Sequence, residues 1–458
     1  MYDEVFSEYF SPDYIKNIYD TKIRFSAGVG IDRLTWRDFE KNQPSFHETI
    51  SEKILNGTYS FSPYLEKLIS KGRNKYPRVI SLPTIRDKIT LTIINKYLQE
   101  EFSNCISRTL PNQRIKNIIQ FIKVAPPSLS VVRTDFTNFY GSIEHSILLS
   151  RLKNIDVHIF SLIYKAITNP TIPINTPQKD REKFIQKLGV PQGLPISNIL
   201  AEIYIHNFDE IIEKQCAFYD RYIDDIIAFS DTPDSLAAII EKEFSRVGLS
   251  FNKEKTSISS VGDGAIYLGY SISRKNISVK KSNFERFLSN IDKLIAAYKS
   301  DRRKIKAESK DKKSEVYQNK VDLLKSNFVE DLNIKLTGAY YDKKRYGWAF
   351  YFSEITDLSI LYRIDAYIEK KFIALKMMGT YKKVKKISRA YFHIKGGTSG
   401  SYSHNFDIAN IKEMLKILLD RGLVHEWETL KTNEIMARYH KYVSRKLSEL
   451  DEDLGRVY

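Results

Sequence analysis

At 458 residues the chain is long enough for two or three domains with real cores, and its 42% hydrophobic and 28% charged residues give an ordinary globular composition. Lys+Arg exceed Asp+Glu by 16 charges, a balance that suits a polyanionic partner such as nucleic acid, or a merely basic surface. No segment approaches the ~18 apolar residues of a membrane span, and Cys105, Cys216 and the eight histidines form no C-x-x-C or H-E-x-x-H, which argues against a zinc site or a disulfide framework and fits a reducing cytosol. The opening M-Y-D-E-V-F-S-E-Y-F lacks a charged-then-apolar signal pattern, so a cytoplasmic location without membrane attachment is expected.

In chain order, residues 1–60 read as mostly helical around a loop at 26–35. P-Y-L-E-K-L-I-S-K-G-R-N-K-Y-P-R-V-I-S-L-P (63–83) predicts two strands around a basic turn. A helical period covers 84–124, ended by Pro126-Pro127; S-V-V-R-T-D-F (130–136) predicts a strand and 144–152 a helix. A polar loop spans 169–181, and a helix with a proline near its start spans 195–214. A-F-Y-D-R-Y-I-D-D-I-I-A-F-S (217–230) predicts a hairpin with its aspartates at the tip. A helix at 233–247 and short strands near 249–260 and 266–279 follow. Beyond 283 the pattern predicts helices alone, with a strongly basic run at 299–313 and a loop at 395–403. Strands alternating with helices, then helices, predict an α+β domain followed by an α-helical one.

Asp224 and Asp225 stand side by side in an apolar frame, where burial is costly and like charges repel. Asp135 ends the strand at 130–136. If that strand and the hairpin share a sheet, these carboxylates meet at one edge. Hard divalent cations need oxygen ligands, and a pair of ions ~4 Å apart can activate a 3′-hydroxyl and steady a leaving pyrophosphate. Taken alone, paired aspartates in a tight turn are usually turn chemistry.

The remaining stretches bear on that choice. Y-I-D-D (222–225) resembles the Y-x-D-D box of reverse transcriptases, and six further stretches match that family in its order. G-V-G-I-D-R-L-T (28–35) resembles the N-terminal extension box of group II intron and other prokaryotic enzymes, and K-G-R-N-K-Y-P-R-V-I-S-L-P-T-I-R-D-K (71–88) the fingers. R-T-D-F-T-N-F-Y-G-S-I (133–143) resembles the first metal-binding box, and G-V-P-Q-G-L-P-I-S-N-I-L-A-E-I-Y (189–204) the P-Q-G box. F-N-K-E-K-T (251–256) and Y-L-G-Y-S-I (267–272) resemble the two boxes that close the palm.

The resemblance implies a right-hand polymerase fold: an N-terminal helical extension (1–60), fingers (61–130), a palm with an antiparallel sheet (131–280, with a fingers insertion around 153–188), a helical thumb and basic region (281–395) and a C-terminal helical region (396–458). It implies Asp135, Asp224 and Asp225 as ligands of Mg²⁺ or Mn²⁺, with the carbonyl of Phe136 as a fourth. Tyr140 falls where the family keeps an aromatic steric gate against the ribonucleotide 2′-hydroxyl. Lys71 (or Lys75 or Arg73) and Arg78 are expected to grip the triphosphate, Gln192 and Gly193 to lie beneath the incoming nucleotide, and Lys255 to serve the leaving pyrophosphate. Tyr222 and Gly269 are expected at the primer and template; Arg86 is either there too or a salt-bridge partner within the fingers.

The P-Q-G box runs on as S-N-I-L-A-E-I-Y, not the S-P-x-L-A-N of many retron and intron enzymes, and no retron N-A-x-x-H or V-T-G box, H-N-H endonuclease or ribonuclease H pattern is found. The tail L-T-G-A-Y-Y-D-K-K-R-Y-G-W-A-F-Y-F-S (336–353) resembles the helical extension of defence-associated and abortive-infection reverse transcriptases. The expectation is an RNA-directed DNA polymerase in antiphage defence, with dNTP substrates, an RNA template from a dedicated noncoding RNA and a DNA product. Some members of that group assemble as homo-oligomers and some prime from a protein hydroxyl, which leaves Tyr458 as a candidate primer or a functionless end. A template-independent nucleotidyl transferase, a retron enzyme and a catalytically idle RNA-binding scaffold are the alternatives.

Overall fold

A computed structural model describes residues 4–24, 28–70, 76–107, 109–253, 256–309, 311, 313–425 and 427–455. Its elements in chain order are α1 (Glu4–Tyr9), α2 (Pro12–Ile18), α3 (Trp36–Asn42), α4 (Phe46–Leu55), β1 (Tyr64–Ile69), β2 (Arg78–Leu82), α5 (Ile85–Glu101), α6 (Pro111–Val124), β3 (Ser130–Asp135), α7 (His145–Arg151), α8 (Val157–Thr168), β4 (Thr171–Ile172), α9 (Ser197–Glu213), β5 (Phe218–Tyr222), β6 (Asp225–Ser230), α10 (Pro233–Arg246) and β7 (Ser257–Ser260). There follow β8 (Ala265–Tyr267), β9 (Tyr270–Ile272), β10 (Ile277–Val279), α11 (Lys281–Glu308), α12 (Glu315–Thr337), β11 (Ala339–Tyr341), β12 (Lys344–Tyr346), α13 (Trp348–Tyr351), α14 (Ser359–Ala374), α15 (Met378–Tyr381), α16 (Ile387–Lys395), β13 (His404–Asn405), α17 (Ile411–Asp420) and α18 (Thr432–Leu454). They form two compact units: residues 1–109 with 126–260, and residues 110–125 with 261–458.

In the first unit, local signals start the helices. Ser11 caps α2 with Pro12 in its first turn, and Thr35 and Asp38 form a capping box on α3. These short helices are held by an aromatic cluster in which Tyr19 meets Phe39 and Phe46 at 5.7 and 4.8 Å. The sheet in the segment expected as the fingers is β2-β1-β4, antiparallel for β1 with β2 and parallel for β1 with β4. The sequence predicts only a loop at 169–181. The structure places β4 there, because Tyr64 donates its N–H to Pro170 O and Ser81 Oγ lies 2.7 Å from Thr171 Oγ1. Two residues are too few to show a period.

The palm sheet is β5-β6-β3-β7, antiparallel throughout. Strand β6 runs through its interior, and Ile226, Ile227, Ala228, Phe229 and Ser230 are all buried. Val132, Ile226 and Ala228 join the core formed with α9 and α10, through Leu200, Tyr204, Phe208, Leu236 and Phe244. A strand buried on both faces reads as a continuous apolar run, which is how 226–229 appears in the sequence. This antiparallel sheet backed by two helices, in an α+β fold, has the arrangement that the sequence resemblance implies for a palm.

The second unit corrects one expectation. After 283 helices are not alone: β11 and β12 form a hairpin and β13 pairs parallel with β11. The hairpin turn is Asp342-Lys343, with φ of +49° and +58°, values ordinary for Asn-Gly and costly here. Asp407 offsets that cost by accepting the N–H groups of both residues, at 2.8 and 3.1 Å. A contact 65 residues away decides the turn, so the local sequence does not display it. Helix α11 carries the basic run as far as Glu308. Among the described residues no helix is long and apolar enough to cross a membrane, and Cys105 and Cys216 stand as separate thiols.

Helices α11, α12 and α18 share a buried ion pair. Lys335 Nζ donates to both Asp453 oxygens at 2.8 and 2.7 Å, and Asn290 donates to the same carboxylate at 2.8 Å. Asp453 is fully buried and Lys335 nearly so. Removing one partner strands the other charge. Asp453→Ala is therefore expected to cost about 3–5 kcal/mol in urea unfolding, and Lys335→Met with Asp453→Leu to recover most of that loss.

Candidate active site

Register brings the acidic residues together. Asp135, the last residue of β3, lies directly opposite Asp225, the first residue of β6, and Asp225 lies opposite Tyr222 at the end of β5. Ile223 and Asp224 form the two-residue turn between β5 and β6. Directly opposed side chains have Cβ atoms about 5 Å apart, and like charges so placed destabilise a sheet. Arg133, two residues before Asp135 and on the same face, answers this: its Nε and Nη2 both reach Asp225 Oδ1 at 3.3 Å. Burial pushes the Asp225 carboxyl up to about 6; Arg133 opposes the rise, and the Asp224 and Asp135 charges add to it.

The turn is strained and held from below. Ile223 has φ +59°, an unfavourable conformation for a β-branched residue that costs of order 1–3 kcal/mol. Its carbonyl accepts Arg221 Nη1 at 3.0 Å. Arg221 is buried, and α9 holds it twice: Nη2 donates to Glu202 at 2.7 Å and Nε to Asp209 at 2.7 Å. Tyr219 adds a bond to Asp209 at 2.6 Å. The sequence reading passed over Arg221, Glu202 and Asp209. The available signal was an arginine inside the apolar hairpin together with acids at i and i+7 of the helix before it.

The P-Q-G loop runs beside β2 of the fingers. Gln192 O accepts the Ser81 N–H at 2.7 Å. Gly193 has φ +96°, and a Cβ there would lie 2.6 Å from Ile80 Cγ2 and 3.3 Å from Ser81 O. Glycine thus permits a close approach of this loop to β2. Tyr140 stands in a 3₁₀ turn, Phe139–Ser142, with its carbonyl bonded to Val190 N at 2.7 Å and its hydroxyl donating to Asn198 Oδ1 at 2.7 Å. Phe136 is buried and bridges to Phe251.

Asp135, Asp224, Asp225 and Tyr222 therefore meet at one end of the palm sheet, while Tyr140, Gln192 and Gly193 sit on the adjoining loops of the same unit. Arg78, half-buried, opens β2 opposite Ile69. Arg86 takes the salt-bridge alternative: it pairs with buried Asp87 at 2.9 Å, donates to Ser60 O at 2.7 Å and lies over the Tyr59 ring. Gly269 belongs to the second unit, where φ +81° and Asn283, 2.4 Å from where its Cβ would be, explain the glycine. Lys71, Arg73, Lys75, Lys255 and Tyr458 lie outside the described residues.

Among the described residues no three His, Cys, Asp or Glu side chains close around one point as the ligands of a metal would; Asp225 faces Arg133. The donor chemistry and the mutual repulsion of the three aspartates nevertheless fit a hard divalent cation. Millimolar Mg²⁺ is expected to raise the Tm of the wild type, by the equivalent of about 2.7 kcal/mol at a hundredfold excess over Kd, and to leave Asp224→Asn/Asp225→Asn unmoved. Equal shifts in both proteins, read by thermal melting, would remove the metal site. Arg221→Ala leaves Glu202 and Asp209 facing each other and frees the turn carbonyl, for an expected loss of about 3–5 kcal/mol in urea unfolding.

Comparison with known proteins agrees with this arrangement. Residues 69–272 match the family model described as reverse transcriptase (RNA-dependent DNA polymerase). Protein YkfC of Escherichia coli (strain K12) is 22% identical over 278 residues, covering 50% of this chain and 71% of that protein. The group II intron-encoded protein LtrA of Lactococcus lactis subsp. cremoris is 26% identical over 234 residues, covering 48% of this chain and 37% of LtrA. Apo telomerase from Candida tropicalis superposes with a TM-score of 0.40 at 13% identity, over 83% of this chain and 68% of that one. The family match and the palm register fall on the same stretch, so residues 69–272 are similar to a reverse transcriptase domain.

Proposed function

We propose that this chain is an RNA-directed DNA polymerase that adds dNTPs to a 3′-hydroxyl using Asp135, Asp224 and Asp225. The carrying observation is the register that sets Asp135 opposite Asp225 with Asp224 in the adjoining turn, inside the segment matched to the reverse transcriptase family. Two divalent cations, Mg²⁺ or Mn²⁺, would supply the charge that activates the hydroxyl and steadies the leaving pyrophosphate. Asp135, Asp224 and Asp225 would hold them, with the Phe136 carbonyl as a further ligand. Positive charge held there would take over the compensation that Arg133 gives Asp225. Tyr140 is the steric gate that excludes a 2′-hydroxyl, Arg78 meets the triphosphate, and Gln192, Gly193 and Tyr222 frame the incoming nucleotide and primer end.

The physiological reading is antiphage defence with a dedicated noncoding RNA as template. It is supported by the S-N-I-L-A-E-I-Y form of the P-Q-G box and by the large second unit that continues beyond the matched residues. In vitro, the wild type is expected to extend a primer on an RNA template with dNTPs and Mg²⁺, and Asp224→Asn/Asp225→Asn to lose at least about 10³-fold in rate, the loss of a charge-stabilising element of the transition state. In cells, sequencing should find a DNA complementary to one RNA that is present with the wild type and absent with the variant. A homopolymer made by both template-supplied and template-free wild type would favour the transferase. Equal synthesis by wild type and variant would refute the aspartate mechanism.

A further inference from the structure

We propose that Asn198 is a positioning residue for sugar selection, fixing the ring of Tyr140 by its hydroxyl. The inference rests on the reading of Tyr140 as the gate and adds what makes the gate rigid. Tyr140 is held at two ends. At the backbone, its carbonyl accepts Val190 N at 2.7 Å, and Gly189 (φ +83°) permits that approach, since a Cβ there would lie 2.9 Å from both Gly141 Cα and Tyr140 O. At the far end of the ring, the hydroxyl donates to Asn198 Oδ1 at 2.7 Å, across 58 residues of chain.

Asn198 is itself well placed to hold a position. It stands in the first turn of α9, whose first residue, Ser197, donates Oγ to Pro191 O at 2.6 Å. One turn further on, the same helix carries Glu202, which grips Arg221 and through it the Ile223 carbonyl. A single helix thus fixes the ring that would face the sugar and the turn that carries Asp224. A half-buried phenol tethered only at its backbone retains χ1 and χ2 freedom and can yield to a 2′-hydroxyl. The second tether removes that freedom. Asn198 and Glu202 are also residues at which the box departs from S-P-x-L-A-N: Asn198 supplies a side-chain acceptor where proline has none, and Glu202 a carboxylate where the motif has an amide.

The test is single-nucleotide extension by the full chain, reading kcat/KM for a dNTP over its rNTP. Tyr140→Ala is expected to abolish most of the discrimination. Asn198→Ala is expected to lower the ratio about 3- to 10-fold, the scale of one neutral hydrogen bond. Tyr140→Phe, which keeps the ring, should lower it equally, and Tyr140→Phe/Asn198→Ala no further, because both remove one interaction. Asn198→Asp keeps an acceptor and should restore the ratio even where both KM values rise. If Tyr140→Ala collapses the ratio while Asn198→Ala and Tyr140→Phe leave it at the wild-type value, the tether is refuted and the gate stands. Additive losses in the double variant refute the tether as well. If Tyr140→Ala leaves the ratio intact, the gate itself is refuted and the inference falls with it.

Discussion

Two carboxylates placed directly across a buried antiparallel ladder are the constraint on which the first unit depends. Asp135 and Asp225 occupy one row of the palm sheet, and the sheet would be more stable without either. The frame that tolerates them is correspondingly overbuilt. Strand β6 is buried on both faces, Arg133 reaches diagonally to Asp225, and core from α9 and α10 backs the strands. Misregister by one residue would turn the carboxylates to the opposite face, so the ladder that pairs β3 with β6 specifies the site as much as the acids do.

Helix α9 links this sheet to the rest of the site. Its apolar side enters the core through Ile199, Leu200, Ile203 and Tyr204, while its polar side carries Asn198, Glu202 and Asp209. The buried Arg221 converts that helix into a support for a strained turn. The guanidinium is satisfied by two carboxylates, and its remaining reach goes to the carbonyl of the residue at φ +59°. Strain concentrated at Ile223 and compensation concentrated at Arg221 are what a site held against its own electrostatics requires.

The second unit solves different problems by similar means. A buried Lys335–Asp453 pair ties three helices, and Asp407 satisfies a turn whose two residues lack the usual turn chemistry. In each case a distant charged group makes a local conformation affordable. Buried pairs of this kind contribute less to net stability than to selecting one arrangement, since half of a pair is worse than none.

The sequence alone determined the sheet that carries the acids. Its strands, the apolar run of β6, the hairpin at 217–230 and the acids at its tip follow from period-2 and continuous hydrophobic patterns, and the ordered boxes named Asp135, Asp224 and Asp225. Local signals also placed α9 to within two residues, with Pro195 just before its first turn, while the helical period read over 84–124 breaks between α5 and α6 and α8 was not foreseen. Tertiary structure decided what depends on partners far along the chain. Strand β4 exists through Pro170 and Ser81, and the β11–β12 turn through Asp407. Arg86 went to a fingers network, Gly193 to a close contact with β2, and Tyr140 to Asn198. The physical reason is common to these cases: a periodic pattern reports which face of an element is buried, while the partner of a polar group is set by what the folded chain brings within about 3 Å.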